Sequence, residues 1–546
     1  VETRAILAFV LSVTILVGYQ ILFAPEPVPV AVTDPAAPGE VQVPAAPAVD
    51  SESAGLPPAV YEQADLPPAA APEAPTVEPR EILDLETDLF HVEFVSLGGR
   101  IRSVRLKDYR ETPEPDSPLF DLVAAKGVLP LGLYWTRPDG TVGSDTEVEY
   151  RISKSDVDGQ GAVAVEMEGR AATGEALRKT LRIGADSYVV DYRAEVDADF
   201  APGVGVAWAR RIAEESGGMV DRFGGVDGPV VYVDDSLESS SATDLEEPLI
   251  SSGMIDWAGY AEHYFMAAYY PETRAELRFV AAAGNGVGEG TLWAETTDGS
   301  VEYNLFMGPK KLWLLGTLGH GMDEAIDLGW FAFVARPMLE GLLYIDKVTG
   351  NYGWSIILLT ILVRIIFYPV NAKQATAMKA MQKVQPELKK IQEKYKDDRE
   401  QLNKEMMELY RRHKVNPLAG CLPMLVQLPV FLGLYNALMQ AIELRHAPFV
   451  GWITDLSQPD RLGTLGIPFV SPPGIPVLTL LMGASMLVQQ KMTPAAGDPA
   501  QQRMMMFLPV IFTVMFVNFP SGLVLYWFAN NVMSIGQQYM TNRSSA

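Results

Sequence analysis

One arginine stands inside an otherwise apolar run: Arg364, within SIILLTILVRIIFYPV at residues 355–370. A guanidinium at the centre of a membrane helix costs about 2.5–3.5 kcal/mol, and ten flanking Ile, Leu, Val and Phe side chains return roughly 0.3–0.6 kcal/mol each, so such a helix still inserts. A charge kept at that cost snorkels, pairs with a carboxylate, or faces a water-filled cavity. No Asp or Glu lies inside any other apolar run, and the cavity is the reading we prefer. Gln427, Ser485, Gln489, Asn530, Asn531, Ser534 and Gln537 lie in the halves of their runs nearer the basic loop 371–420, and Thr360 precedes Arg364 by one helical turn. Tyr526, Asn530, Ser534 and Gln538 recur every four residues and so share a helix face. Ser, Asn and Gln also hold membrane helices together by hydrogen bonds, but that role has no preference for one leaflet. The bias toward one side, with Asn436, Gln440 and Asn518 against it, predicts a polar notch open to the cytoplasm. One fixed positive charge without acids would draw in a hydrophilic or acidic segment and shorten the dry distance it must cross. No bond need be made or broken, so no catalytic residue, metal or cofactor is expected. Ion-coupled transport would want a membrane carboxylate and paired repeats; a small-solute transporter or channel is kept as the alternative reading.

The elements that would hold this notch follow from how charge and apolarity divide along the 546 residues. The net charge is −25 and mean hydropathy is +0.09, an unusual pairing. Residues 24–350 carry 56 acids and 24 bases, a net of −32, whereas the remainder is net +7. A single soluble globule is excluded, and so is a nucleic-acid binder of the basic kind; no specific nucleic-acid recognition is expected. The single cysteine, Cys421, forbids an intramolecular disulfide framework or a Cys-rich zinc site.

Residues 1–23 read as an N-terminal transmembrane anchor, because Ala5–Phe23 is long enough to span and Leu22 with Ala24 makes a poor cleavage site. Residues 24–79, with fourteen prolines, read as a disordered linker. Residues 80–329 alternate with period two between Gly, Asp and Pro breaks, as in Phe90–Val95, Ala162–Met167, Tyr188–Val196 and Val301–Met307, which predicts an all-β sandwich. Its histidines, His91, His263 and His320, lack ligand spacing and are expected to be structural. Residues 330–350 are apolar but interrupted by Arg336, Pro337 and Glu340, and predict an interfacial amphipathic helix. Residues 351–546 hold five further candidate spans, at about Tyr352–Val370, Cys421–Ile442, Ile475–Gln490, Met504–Phe519 and Ser521–Met540, the last two joined by a tight hairpin at Pro520. Between the first two of these, residues 371–420 carry twelve bases against seven acids and two apolar stripes parted at Lys396–Arg399, which predicts a helical hairpin in the cytoplasm. The count gives a polytopic α-helical membrane protein with six spans, both termini cytoplasmic and residues 24–350 outside.

Four segments carry a resemblance: TILVRIIFYP at 360–369, EMMELYRRHKVNPLAGCLPMLVQLPVFLGLYNAL at 405–438, DPAQQRMMMFLPVIFTVMF at 498–516 and FPSGLVLYWFANN at 519–531. They closely resemble the YidC-type membrane protein insertases, and the order of anchor, acidic outer domain and five-helix core is similar to the Gram-negative members. The resemblance implies an inner-membrane insertase and chaperone for nascent membrane proteins, working alone or with the Sec translocon and its accessory subunits. It further implies clients received from the ribosome and the signal-recognition pathway, and contact with membrane lipid. It places Arg364 and Thr360 in a hydrophilic groove, which Gln427, Ser485, Gln489, Tyr526, Asn530 and Ser534 join by the polar bias and spacing given above. Trp527 takes a groove position where the family often has tyrosine. Leu428 and Pro429, with Met515 and Phe516, match positions along which client helices leave.

Overall fold

The computed structural model describes residues 81–123, 129–157, 161–197, 203–211, 228–241, 248–284, 287–369, 383–388, 390–395, 398–413, 422–466, 470–492 and 499–543. The anchor (1–23) and the proline linker (24–79) expected from sequence lie outside these residues, as does much of the loop 371–420.

The alternating segments become strands close to where their periodicity puts them. Phe90–Val95 is a strand as written, and the other three give Val163–Arg170, Val189–Val196 and Ser300–Pro309. Among the described residues the strands form two antiparallel sheets, one of four strands and one of fourteen. Their inward residues interleave as two-faced sheets must: Phe90, Phe94, Ile101 and Val104 from the small sheet meet Trp135, Tyr192, Val206 and Leu305 from the large one in one apolar core. The core also encloses charge. Asp145 accepts Arg100 Nη2 at 2.7 Å, Lys179 Nζ at 2.5 Å, the Leu133 amide at 3.1 Å and the Tyr150 hydroxyl at 3.2 Å. Lys179 also donates to the carbonyls of Gly98, Gly99 and Leu131, tying the two sheets together. Burial outweighs Asp145 here and brings the lysine down to about 8.

Helices follow the sandwich: α1 (Leu312–Leu318), α2 (Ala332–Thr349), α3 (Tyr352–Ile366), α4 (Arg399–Arg412), α5 (Leu422–Gln440), α6 (Val477–Met492), α7 (Pro499–Phe516) and α8 (Ser521–Arg543). Helix α2 has two apolar faces. Ala335, Met338, Leu339 and Leu342 are buried, whereas Phe333, Tyr344 and Val348 are exposed and Trp330, just before it, is 97% exposed. Gly433 lets α5 approach α2: a Cβ there would lie 2.9 Å from Val334 Cγ1. Gly483 does the same for α6, where a Cβ would meet the Thr513 hydroxyl at 2.1 Å. In the basic loop, helical residues 383–388 and α4 pack through Val384, Leu388 and Leu409, and Asp398 caps α4 by accepting the Gln401 amide at 3.0 Å.

Among the described residues no helix is long and apolar enough to cross a membrane. Helix α3 has 15 residues, and α8, at 23, carries Asn530, Asn531, Ser534, Gln537 and Gln538. The sandwich is joined to the helices at the far end of α5. Ile442 is buried within the sandwich core, His263 Nε2 lies 2.7 Å from the Met439 carbonyl, and the Arg445 guanidinium sits 5.5 Å from the rings of both Phe120 and Phe265.

Candidate functional site

Arg364 leaves α3 two residues before its end and reaches α8. Its Nε donates to Asn530 Oδ1 at 2.9 Å and its Nη2 to the Asn530 carbonyl at 2.8 Å, with a further bond from Nη2 to the Ser534 hydroxyl. Ser534 in turn donates to the Asn530 carbonyl at 2.8 Å, one helical turn back. The four-residue spacing on α8 is what stacks Asn530 and Ser534 against the same guanidinium. Arg364 is half-buried, and among the described residues it makes no ion pair: its partners are neutral. A charge so placed keeps its field.

The remaining polar positions divide. Thr360 is buried, and its hydroxyl returns to the Ile356 carbonyl of its own helix at 2.6 Å. Ser485 is buried on α6 and accepts Asn531 Nδ2 at 3.0 Å, a helix-to-helix bond of the gluing kind. Tyr526 is buried one turn from Asn530 on α8, and Gln489 is half-buried one turn from Ser485 on α6. The side chain of Gln427 lies outside the described residues. Thus Arg364, Asn530 and Ser534 come together, and Thr360 and Ser485 are engaged elsewhere.

On the same face of α8, one turn before Asn530, Trp527 closes a ring cluster that spans three helices. Its ring lies 4.7 Å from Phe431 of α5, 4.7 Å from Phe516 and 5.4 Å from Phe512, both of α7. Phe516 is buried beneath it, whereas Leu428 is 46% and Met515 37% exposed and Pro429 is half-buried. Sequence reasoning named Trp527 and Phe516 but missed Phe431 and Phe512; the four-residue step from Phe512 to Phe516 was the available signal.

The polar residues that ran against the inward bias serve the far ends of the helices. Asn436 Nδ2 donates to the Leu328 carbonyl at 2.8 Å, and Asn518 Oδ1 accepts Arg461 Nη2 at 2.8 Å. Arg461 also donates to the carbonyls of Ser471, Pro472 and Val517, and its buried neighbour Asp460 caps α6 by accepting the Leu478 amide at 2.7 Å. Three histidines have structural contacts: His91 meets Arg105 Nη2 at 2.8 Å, His263 meets the Met439 carbonyl, and the His320 ring lies 5.2 Å from that of Tyr270, tilted against it. Among the described residues no group of three or more His, Cys, Asp or Glu could hold a metal ion.

Residues 82–340 match the family described as YidC periplasmic domain, and residues 344–546 match 60Kd inner membrane protein. The chain is 40% identical over 565 residues to the membrane protein insertase YidC of Pelobacter propionicus, covering 99% of each. It is 36% identical over 573 residues to the protein of the same name in Syntrophus aciditrophicus, covering both in full. A solved structure of an active YidC insertase with its first transmembrane domain resolved is 20% identical, with 85% of this chain and 95% of that one covered at a TM-score of 0.37. Full-length identity at this level, over the sandwich and the helices alike, places the chain in the YidC family of inner-membrane protein insertases, whose members carry a periplasmic domain.

Proposed function

We propose that this chain inserts nascent membrane proteins through a hydrophilic groove that opens to the cytoplasm and to lipid beside Arg364. The observation that carries the reading is a half-buried guanidinium held by neutral groups alone among the described residues. A carboxylate partner would cancel its field; Asn530 and Ser534 do not. Water and a fixed positive charge in the inner leaflet lower the cost of bringing a client's polar tail into the bilayer. The client's apolar helix then leaves between α5 and α7, past Leu428, Pro429, Met515 and Phe516. Thr360, Gln427, Ser485, Gln489, Tyr526 and Trp527 belong to the wall of this groove. Six spans, with both termini in the cytoplasm and residues 24–350 in the periplasm, complete the arrangement. The basic loop 371–420 then faces the ribosome and the signal-recognition pathway, and the Sec translocon is a partner for larger clients.

The experiment is insertion of a small one-span client into liposomes containing only this protein. The reading expects protease-protected client that depends on the protein. Solute flux without client insertion would contradict it.

A further inference from the structure

A guanidinium offers five N–H groups in one plane and accepts nothing. In Arg364 three of the five are committed to α8: the single hydrogen of Nε and both of Nη2 go to Asn530 Oδ1, the Asn530 carbonyl and the Ser534 hydroxyl. We infer that Asn530 is a positioning residue for Arg364, which pins the Nε–Nη2 edge to α8 and leaves Nη1 as the edge offered to a client. The inference rests on the insertase reading above and adds to it which residue sets the direction of the charge.

The geometry is directional at each bond. Because the guanidinium only donates, Asn530 must present its amide oxygen, which fixes the orientation of that side chain. Ser534 donates its own proton to the Asn530 carbonyl at 2.8 Å, so a lone pair is left for Nη2. Asn530 therefore meets Arg364 through both its side chain and its backbone, and the backbone contact survives any substitution there. Both hydrogens of Nη1 have no partner among the described residues, and the atom is not among those sealed from their surroundings. An acidic or carbonyl-bearing segment entering beside α3 meets that edge first.

The test compares two forms of one single-span client, with acidic or with glutamine residues in its translocated tail, in liposomes carrying the full chain. The readout is the ratio of the two insertion rates, because a general folding defect slows both clients alike. Asn530→Asp turns the clamp into an ion pair and should lower the ratio about tenfold; Asn530→Leu removes only the Oδ1 bond and should lower it about threefold. In both variants the glutamine client should slow less than the acidic one, so that the loss shows in the ratio. Wild-type ratios in both variants, or equal slowing of both clients, overturn the positioning role. Arg364→Glu separates the two levels: if it too leaves the ratio unchanged, the electrostatic groove itself fails, and if it alone collapses the ratio, the groove stands without Asn530.

Discussion

Reversing the charge at position 364 separates attraction from hydration. A client carboxylate about 5 Å from the Arg364 guanidinium, at an effective dielectric near 20, gains roughly 3 kcal/mol, and the same carboxylate facing Glu loses a similar amount. Solvent and salt reach this half-buried site and halve that swing, leaving about 3 kcal/mol, or about a hundredfold in rate. Arg364→Glu also sets a carboxylate against the acceptors Asn530 Oδ1 and the Asn530 carbonyl, so the α3–α8 contact loosens as well. Arg364→Lys keeps the charge but has no planar fork to satisfy Asn530 and Ser534 together. Its acidic-tail rate should fall about threefold, as expected when one charged hydrogen bond is replaced by water. The assay is the initial rate of protease protection of acidic-tailed and neutral-tailed clients in liposomes. A Glu variant that inserts the acidic-tailed client at the wild-type rate refutes the reasoning.

Trp527→Ala should lower thermal stability by about 3 kcal/mol, because it opens a void among Phe431, Phe512 and Phe516, whereas Trp527→Phe should cost less than half of that; equal melting of both variants with wild type would contradict the cluster's role. Glu175 gives a pH prediction. Desolvation alone would raise its carboxyl, but the Thr173 hydroxyl and Arg137 outweigh it and hold the group at about 2. A carboxyl depressed from 4.5 contributes up to about 3 kcal/mol that is fully present above pH 4.5 and is lost as pH falls toward 2. Denaturant titrations of Glu175→Gln should therefore lack that acid slope, and a slope equal to wild type would assign it to other groups. Ile442→Ala should destabilise the chain by about 2–4 kcal/mol and speed proteolysis at 441–446, where the segment after α5 enters the sandwich core; unchanged cleavage would show the junction to be a loose one.

The period-two texture of the sandwich was readable because one face of each strand is buried, and Phe90–Val95 alternates accordingly. Runs of apolar residues located α3 and α5 through α8 to within a few residues at most ends, and α4 begins at Arg399, the last residue of the break read from sequence. Contacts between distant segments were not readable. Arg100, Asp145 and Lys179 look like surface residues by type, and only the closing of two sheets buries them together. Ile442 looks like the end of a membrane helix until the sandwich is in place around it. In the candidate site, the four-residue step on α8 carried the pairing of Asn530 with Ser534. The local bond of Thr360 and the bond between Asn531 and Ser485 depend on rotamers and helix rotation, which spacing does not specify.

Water at the guanidinium is the central claim, and thiol labelling tests it directly, since a cysteine reacts only where water lets it ionise. In vesicles of known orientation, with Cys421→Ser as background, a membrane-impermeant maleimide should modify Ser534→Cys from the cytoplasmic side. The same reagent should leave Leu362→Cys, on an exposed apolar face of α3, untouched. Labelling of Leu362→Cys with protection of Ser534→Cys, or modification of Ser534→Cys only from the periplasmic side, would contradict the account.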